Sequence, residues 1–192
     1  MIYRLSVFLF CVLFVSCTDT YQEEISAFRQ MKNNKFSKQE SSPFTKEELQ
    51  HFEQLQYFPV NPSLRLEAKL DKSAFPTYFS LFQDSSVTQI HQEVGVLKFE
   101  IEGSTYALKA FRSAGQAKHQ LFVPFKDLSN GKLTYGGGRY VDAVLGEDSL
   151  VKLDFNLAYN PYCAYNERFV CAAVPATNSL PIEVLAGEKN YN

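Results

Sequence analysis

Polar and apolar positions divide the 192-residue chain into three stretches. Behind a short start carrying Arg4, Leu5 to Val15 is apolar almost throughout, and at Ser16-Cys17 it gives way to Thr18, Asp19, Thr20 and Gln22. That run is about half the ~20 apolar residues a spanning helix needs, so it reads as an export signal and not as a transmembrane anchor. From Thr20 onward Ile25, Phe28 and Met31 fall at helical spacing, and Thr20 with Glu23 has the form of a capping box, which predicts a short amphipathic helix. Residues 33–43 are polar and rich in Ser and Lys, a linker by composition. A second capping box, Thr45 with Glu48, predicts a second helix through about Leu55, ending ahead of Pro59 because a residue before proline avoids the helical region.

Past residue 60 the period changes to two. Leu64, Leu66, Ala68 and Leu70 alternate with Arg65, Glu67 and Lys69, the pattern of a half-buried strand. Val94–Ile101 and Thr105–Phe111 read as a hairpin turning at Glu102-Gly103-Ser104, and Leu121–Phe125 as a strand whose Pro124 places it at an edge or bulge. After a turn at Ser129-Asn130-Gly131-Lys132, further strands are predicted at Tyr140–Leu145, Leu150–Phe155 and Ile182–Leu185. The fold class that follows is mainly β: a barrel- or sandwich-like antiparallel core with two short N-terminal helices. The expected division is a signal segment at 1–16, a helix and linker at 17–43, and a β-rich domain at 44–192.

Charge adds one exclusion. The 19 Lys and Arg against 21 Asp and Glu are scattered along the chain, which leaves no basic footprint for nucleic acid. Phe14-Val15-Ser16-Cys17 resembles the lipobox of bacterial lipoproteins, with Phe14 where leucine is commonest. The resemblance implies lipid on Cys17, the membrane as a partner, and a folded domain in the cell envelope outside the cytoplasm. An ordinary cleaved signal with a chance cysteine and a buried apolar N-terminal strand are the other readings. Cys163 and Cys171 are an even pair across a short loop, which suits a disulfide in an oxidising compartment; two buried thiols or a reactive Cys163 are the alternatives.

The densest chemistry lies in T-Y-G-G-G-R-Y-V-D, from Thr134, and D-F-N-L-A-Y-N-P-Y-C-A-Y-N, from Asp154. Gly136, Gly137 and Gly138 lack the G-K-S/T that would make a phosphate loop, so they are expected to bend a strand at a barrel corner. Tyr140 and Asp142 share one face of a strand; Asp154 and Asn156 share another. Arg139, Asp142, Asp154, Asn156, Tyr159, Asn160 and Tyr165 are the candidate lining of a polar, aromatic pocket for a small molecule, a sugar or a peptide end. Each aspartate also has a plainer reading, as a solvated or turn-stabilising group. Were Asp142 and Asp154 to face each other across a cleft, the two could instead work as the acid and base of a hydrolase. His51, His91 and His119 are isolated, no Ca²⁺ loop motif occurs, and neither a metal nor a cofactor is expected.

These segments, with Y-F-P-V-N-P-S-L-R-L-E-A from Tyr57, L-F-V-P-F-K-D from Leu121 and L-P-I-E-V-L-A-G-E-K from Leu180, resemble the domain-of-unknown-function 1684 family of bacterial proteins, from about Ile25 to Lys189. The resemblance implies that they build one domain. It carries no activity with it.

Overall fold

A computed structural model describes residues 17–80 and 89–191, so the signal segment at 1–16 lies outside the described residues. The period-two stretches become six strands: β1 (Arg65–Ser80), β2 (Ile90–Ile101), β3 (Ser104–Ser113), β4 (Gln120–Phe125), β5 (Arg139–Leu145) and β6 (Leu150–Asp154). Each pairs antiparallel with the next and β6 returns to β1, closing a barrel in chain order. Inward positions are apolar because closure leaves them no water: Ala68, Leu97, Leu121, Val123, Val141 and Leu153 are all buried. Each large aliphatic side chain among them contributes about 1.5–3 kcal/mol. Ile101 pairs with Ser104, so the β2–β3 turn is the two residues Glu102 and Gly103, both left-handed at φ 50° and 76°.

The barrel corner lies at Gly95, where the register with β3 slips. A Cβ there would stand 2.2 Å from the Asp71 carbonyl oxygen, so only glycine allows β1 and β2 to approach so closely. The glycine triplet does something else than expected. Gly138 N–H donates to the Tyr135 carbonyl at 3.0 Å, making a turn that enters β5 instead of a bulge within a strand. Gly138 has φ 97°, and a Cβ on it would press to 2.8 Å from the Phe125 carbonyl oxygen.

Two seams of the barrel are short. Strands β3 and β4 share one pair, Phe111 with Phe122, and β5 and β6 share two. The first seam is closed by a side chain: Asn178 accepts from Lys109 N at 2.9 Å and donates to the carbonyls of Lys109 and Pro124 at 2.9 and 2.8 Å. Pro124 therefore sits within a closed sheet, at a place where an asparagine amide takes over the ladder. In the second seam, Tyr140 and Tyr159 exchange both backbone hydrogen bonds, at 2.9 and 2.8 Å.

One α-helix is present among the described residues, not two. Helix α1 spans Cys17–Phe36, longer than the pattern indicated, and buries Tyr21, Ile25 and Phe36, while Met31 is exposed. The buried stripe is rotated from the expected one because α1 lies on polar partners at the barrel end as well as apolar ones. The second capping box does form: Thr45 N donates to Glu48 Oε2 at 2.7 Å and Glu48 N to Thr45 Oγ1 at 3.2 Å. Only a single 3-10 turn, Glu48–His51, follows it. Leu55 N is drawn to Asn33 Oδ1 at 2.9 Å, and an extended course lets Phe44, Phe52 and Leu55 pack together around Phe36.

The strand expected at Ile182–Leu185 is absent; the segment runs extended past the barrel end, held by Arg139. That side chain is fully buried. Nη2 donates to Asp127 Oδ2 at 2.7 Å and to the Val184 carbonyl at 2.8 Å, and Nη1 to the carbonyls of Ala186 and Glu188 at 2.5 and 3.1 Å. The carbonyls of Val184 and Ala186 point the same way along the extended run, and left-handed Gly187, at φ 74°, brings that of Glu188 onto the same guanidinium, which takes the place of a partner strand. Arg139→Met would leave Asp127 buried without its cation, at a cost of about 3–5 kcal/mol. Urea unfolding measures this, and a loss below about 1 kcal/mol would show that the pair does not hold the segment.

Candidate functional site

Val141 and Ala143 face the barrel core, which turns Tyr140 and Asp142 outward, as the alternation of β5 requires. The backbone bridge from Tyr140 to Tyr159 lays the Tyr159 ring beside Asp142, and its hydroxyl stands 3.2 Å from each carboxylate oxygen. Two hollows meet at this pair. One, of about 380 Å³, is lined by Phe122, Tyr140, Tyr162 and Phe169 together with Asn160 and His91. The other, of about 420 Å³, lies against α1, with Phe28, Met31, Lys32, Lys35 and Phe36.

Opposing influences act on the Asp142 carboxyl. Asp142 keeps contact with solvent, yet the removal of water by surrounding groups pushes its carboxyl above the usual range, against the pull of the Tyr159 hydroxyl and Lys32. Burial and the neighbouring Asp142 charge push the Tyr159 hydroxyl well up, so it remains a protonated donor. Burial holds the His91 imidazole below its ordinary range.

Behind the pair lies a buried hub that sequence reasoning missed. Glu188 Oε2 accepts from Asn160 N at 2.6 Å and Tyr165 Oη at 2.5 Å, while Oε1 accepts from Lys32 Nζ at 2.5 Å and Tyr57 Oη at 3.3 Å. Asn160 Nδ2 also donates to the Lys189 carbonyl at 2.8 Å. Burial lowers the Lys32 ammonium and the Glu188 carboxylate opposes it. Glu188 thus ties α1, the 57–58 segment and the 159–165 segment together, and nothing in L-A-G-E-K marks it as different from a surface glutamate.

Of the seven residues expected to converge, the structure brings Asp142, Tyr159 and Asn160 to the cleft. Arg139 is not there: it is consumed by Asp127 and three carbonyls. Asp154 caps the turn after β6, accepting from Asn156 N at 2.9 Å, Asn156 Nδ2 at 3.0 Å and Tyr21 Oη at 2.7 Å. Asn156 also clamps the backbone of Asn61, at 2.7 and 2.8 Å. Tyr165 belongs to the Glu188 hub. Asp154 therefore lies outside the cleft that Asp142 lines, and these two carboxylates are not paired across it. Cys163 and Cys171 are joined as a disulfide, with Cα atoms 6.0 Å apart, and Cys171 lies on the cleft wall. Among the described residues no three His, Cys, Asp or Glu side chains cluster as a metal site. The sequence signal for the cleft was Tyr140 and Asp142 on one strand face; its other walls come from β2, β4 and the 159–172 loop, at no fixed spacing.

Removing the Tyr159 hydroxyl takes away a hydrogen bond that favours the ionised carboxylate. Tyr159→Phe should therefore move the Asp142 pKa further up, with a stability change of about 1 kcal/mol or less. Carboxyl ¹³C NMR titration reads this directly, and an unchanged or lower pKa would show that the hydroxyl does not orient the carboxylate.

No curated protein matches the chain. The solution NMR structure of an uncharacterised protein from Haloarcula marismortui is similar, with a TM-score of 0.72 and 36% identity over 90% of this chain and 95% of the other. The family model described as protein of unknown function (DUF1684) matches residues 50–189, and the chain belongs to that family.

Proposed function

We propose that this protein is a ligand-binding module of the cell envelope, held at a membrane by lipid on Cys17, whose cleft beside Asp142 and Tyr159 takes a polar small molecule. The observation that carries the binding reading is the pairing of a solvent-reachable carboxylate, oriented by one tyrosine hydroxyl, with an aromatic-walled hollow of about 380 Å³. Pockets for small ligands combine such apolar walls with a few fixed polar groups. The Glu188 hub supports this site by making the cleft's loop wall rigid before any ligand arrives, which reduces the ordering cost of binding. The envelope reading draws on the apolar run before Cys17 and on the Cys163–Cys171 disulfide, a bond that persists in oxidising compartments.

A thermal-shift screen of neutral sugars, amino acids, short peptides and amines, on the full chain in mild detergent, tests the cleft. A true ligand at about 100 times its Kd adds about 2.7 kcal/mol of stability. The shift should vanish in Asp142→Asn while the unliganded Tm stays within about 2 °C, since an exposed carboxylate contributes little to the fold. A shift that survives in the variant places binding elsewhere. For the anchor, mass spectrometry of the intact protein should find an acylated N-terminus at Cys17; an unmodified chain starting at another residue rules it out.

A further inference from the structure

The walls of the Asp142 cleft carry charge of one sign. Among the described residues, Asp142 is their only Asp or Glu, and no Lys or Arg lines the cleft. His91, from β2, is held toward its neutral form by burial, and burial likewise keeps Tyr140 and Tyr159 protonated. Lys32, from α1, acts on Asp142 from the neighbouring groove, but its ammonium is bound to Glu188 at 2.5 Å. Within the cleft an anionic ligand would therefore meet a carboxylate and aromatic rings, the ammonium groups of Lys32 and Lys35 standing against Tyr159 and Tyr162 from the side of α1.

The rings form two contacting groups on the wall. Phe122 meets Tyr140 edge-to-face with centroids 4.8 Å apart, Tyr140 meets Tyr159 at 5.8 Å, and Tyr162 meets Phe169 at 5.2 Å. Two of these rings already carry ammonium groups from the helix: Lys32 Nζ lies 5.0 Å from the Tyr159 centroid and Lys35 Nζ 5.9 Å from that of Tyr162. Among the described residues Phe122 and Tyr140 carry no such cation, and the same chemistry is available on their rings to a ligand in the cleft. A ring quadrupole attracts a cation, and most strongly where water has been displaced.

We propose that the cleft binds an organic ammonium, a primary amine or quaternary nitrogen on a small apolar body, with its charge against Asp142 and its carbons against Phe122, Tyr140 and Tyr159. This rests on the binding reading above and narrows it to cations. Asp142 is positioned for the role: the Tyr159 hydroxyl bridges both of its oxygens and leaves their remaining lone pairs open to an N–H donor or a diffuse positive charge.

Isothermal titration of the full chain compares choline and n-butylamine with 3,3-dimethyl-1-butanol, which keeps the shape of choline without its charge, and with glucose. The cations should bind at least about tenfold more tightly than the neutral isostere, and Asp142→Asn should remove that advantage while leaving the isostere unchanged. Two measurements on the unaltered protein need no variant. Cation affinity should fall with added salt, and it should fall as pH is lowered through the raised Asp142 range, because protonation removes the charge that attracts the ligand. Equal affinity for choline and its isostere overturns the proposal, as does cation binding indifferent to Asp142→Asn, to salt and to pH. Binding of glucose or another neutral ligand alone overturns it while the binding-module reading stands. The absence of any binding at the cleft defeats both.

Discussion

A guanidinium buried away from water needs its charge and most of its donors satisfied inside the protein, and Arg139 meets that demand through Nη1 and Nη2, with Nε left without a partner, by drawing in the rest of the chain. Asp127 supplies the countercharge, from a turn that also receives Ser129 N at 2.8 Å and Val184 N at 3.4 Å. Alternate carbonyls from Val184 to Glu188 supply the acceptors, which fixes the C-terminal segment across the barrel end. With its backbone fixed, the Glu188 side chain is committed to the interior, where it in turn requires donors. It takes them from α1, from Tyr57 and from the 159–165 segment. Local sequence preference does not produce this order; each buried charge sets the position of the next.

Short barrel seams give that chain of constraint its outlet at the surface. Where β5 and β6 stop pairing, β5 has an open edge beside Tyr140, and the segment leaving β6 doubles back to fill it with Tyr159. The Glu188 contact to Asn160 N, one residue on, holds this return in place. A cleft therefore forms between barrel wall and loop without a deep concavity in the barrel itself, whose interior is filled by side chains. The same economy operates at the β3–β4 seam, where the amide of Asn178 does the work of a strand residue.

What was legible in the sequence was what depends on local period. Leu64 to Leu70, the hairpin around Gly103 and the outward pair Tyr140 and Asp142 could all be read because a strand alternates with period two and a tight turn needs left-handed residues. The second helix failed because its capping box, although formed, says only where a helix can begin; burial of Phe44, Phe52 and Leu55 around Phe36 decides how far it runs. Ile182–Leu185 has strand-like composition, yet its partner is a side chain 40-odd residues away, which no periodicity records. Arg139, Asp154 and Asn156 looked like site residues for a related reason. Polar side chains that brace a backbone and polar side chains that meet a ligand have the same letters, and differ only in what surrounds them.

The count of donors around each carboxylate draws that distinction. A carboxylate offers about four lone-pair sites. Glu188 receives four donors from the protein, and Asp154 receives three, so neither has much left to give. Asp127 is likewise spent on Arg139, Ser129 and Val184. Asp142 receives a single hydroxyl shared between both oxygens, keeps contact with solvent, and sits in surroundings that make its charge costly to maintain. A carboxylate used for architecture is saturated by its own chain, because a buried unpaired oxygen would weaken the fold. One left unsaturated at the rim of an aromatic cleft gains most when a donor arrives from outside, and among the four carboxylates compared only Asp142 is in that state.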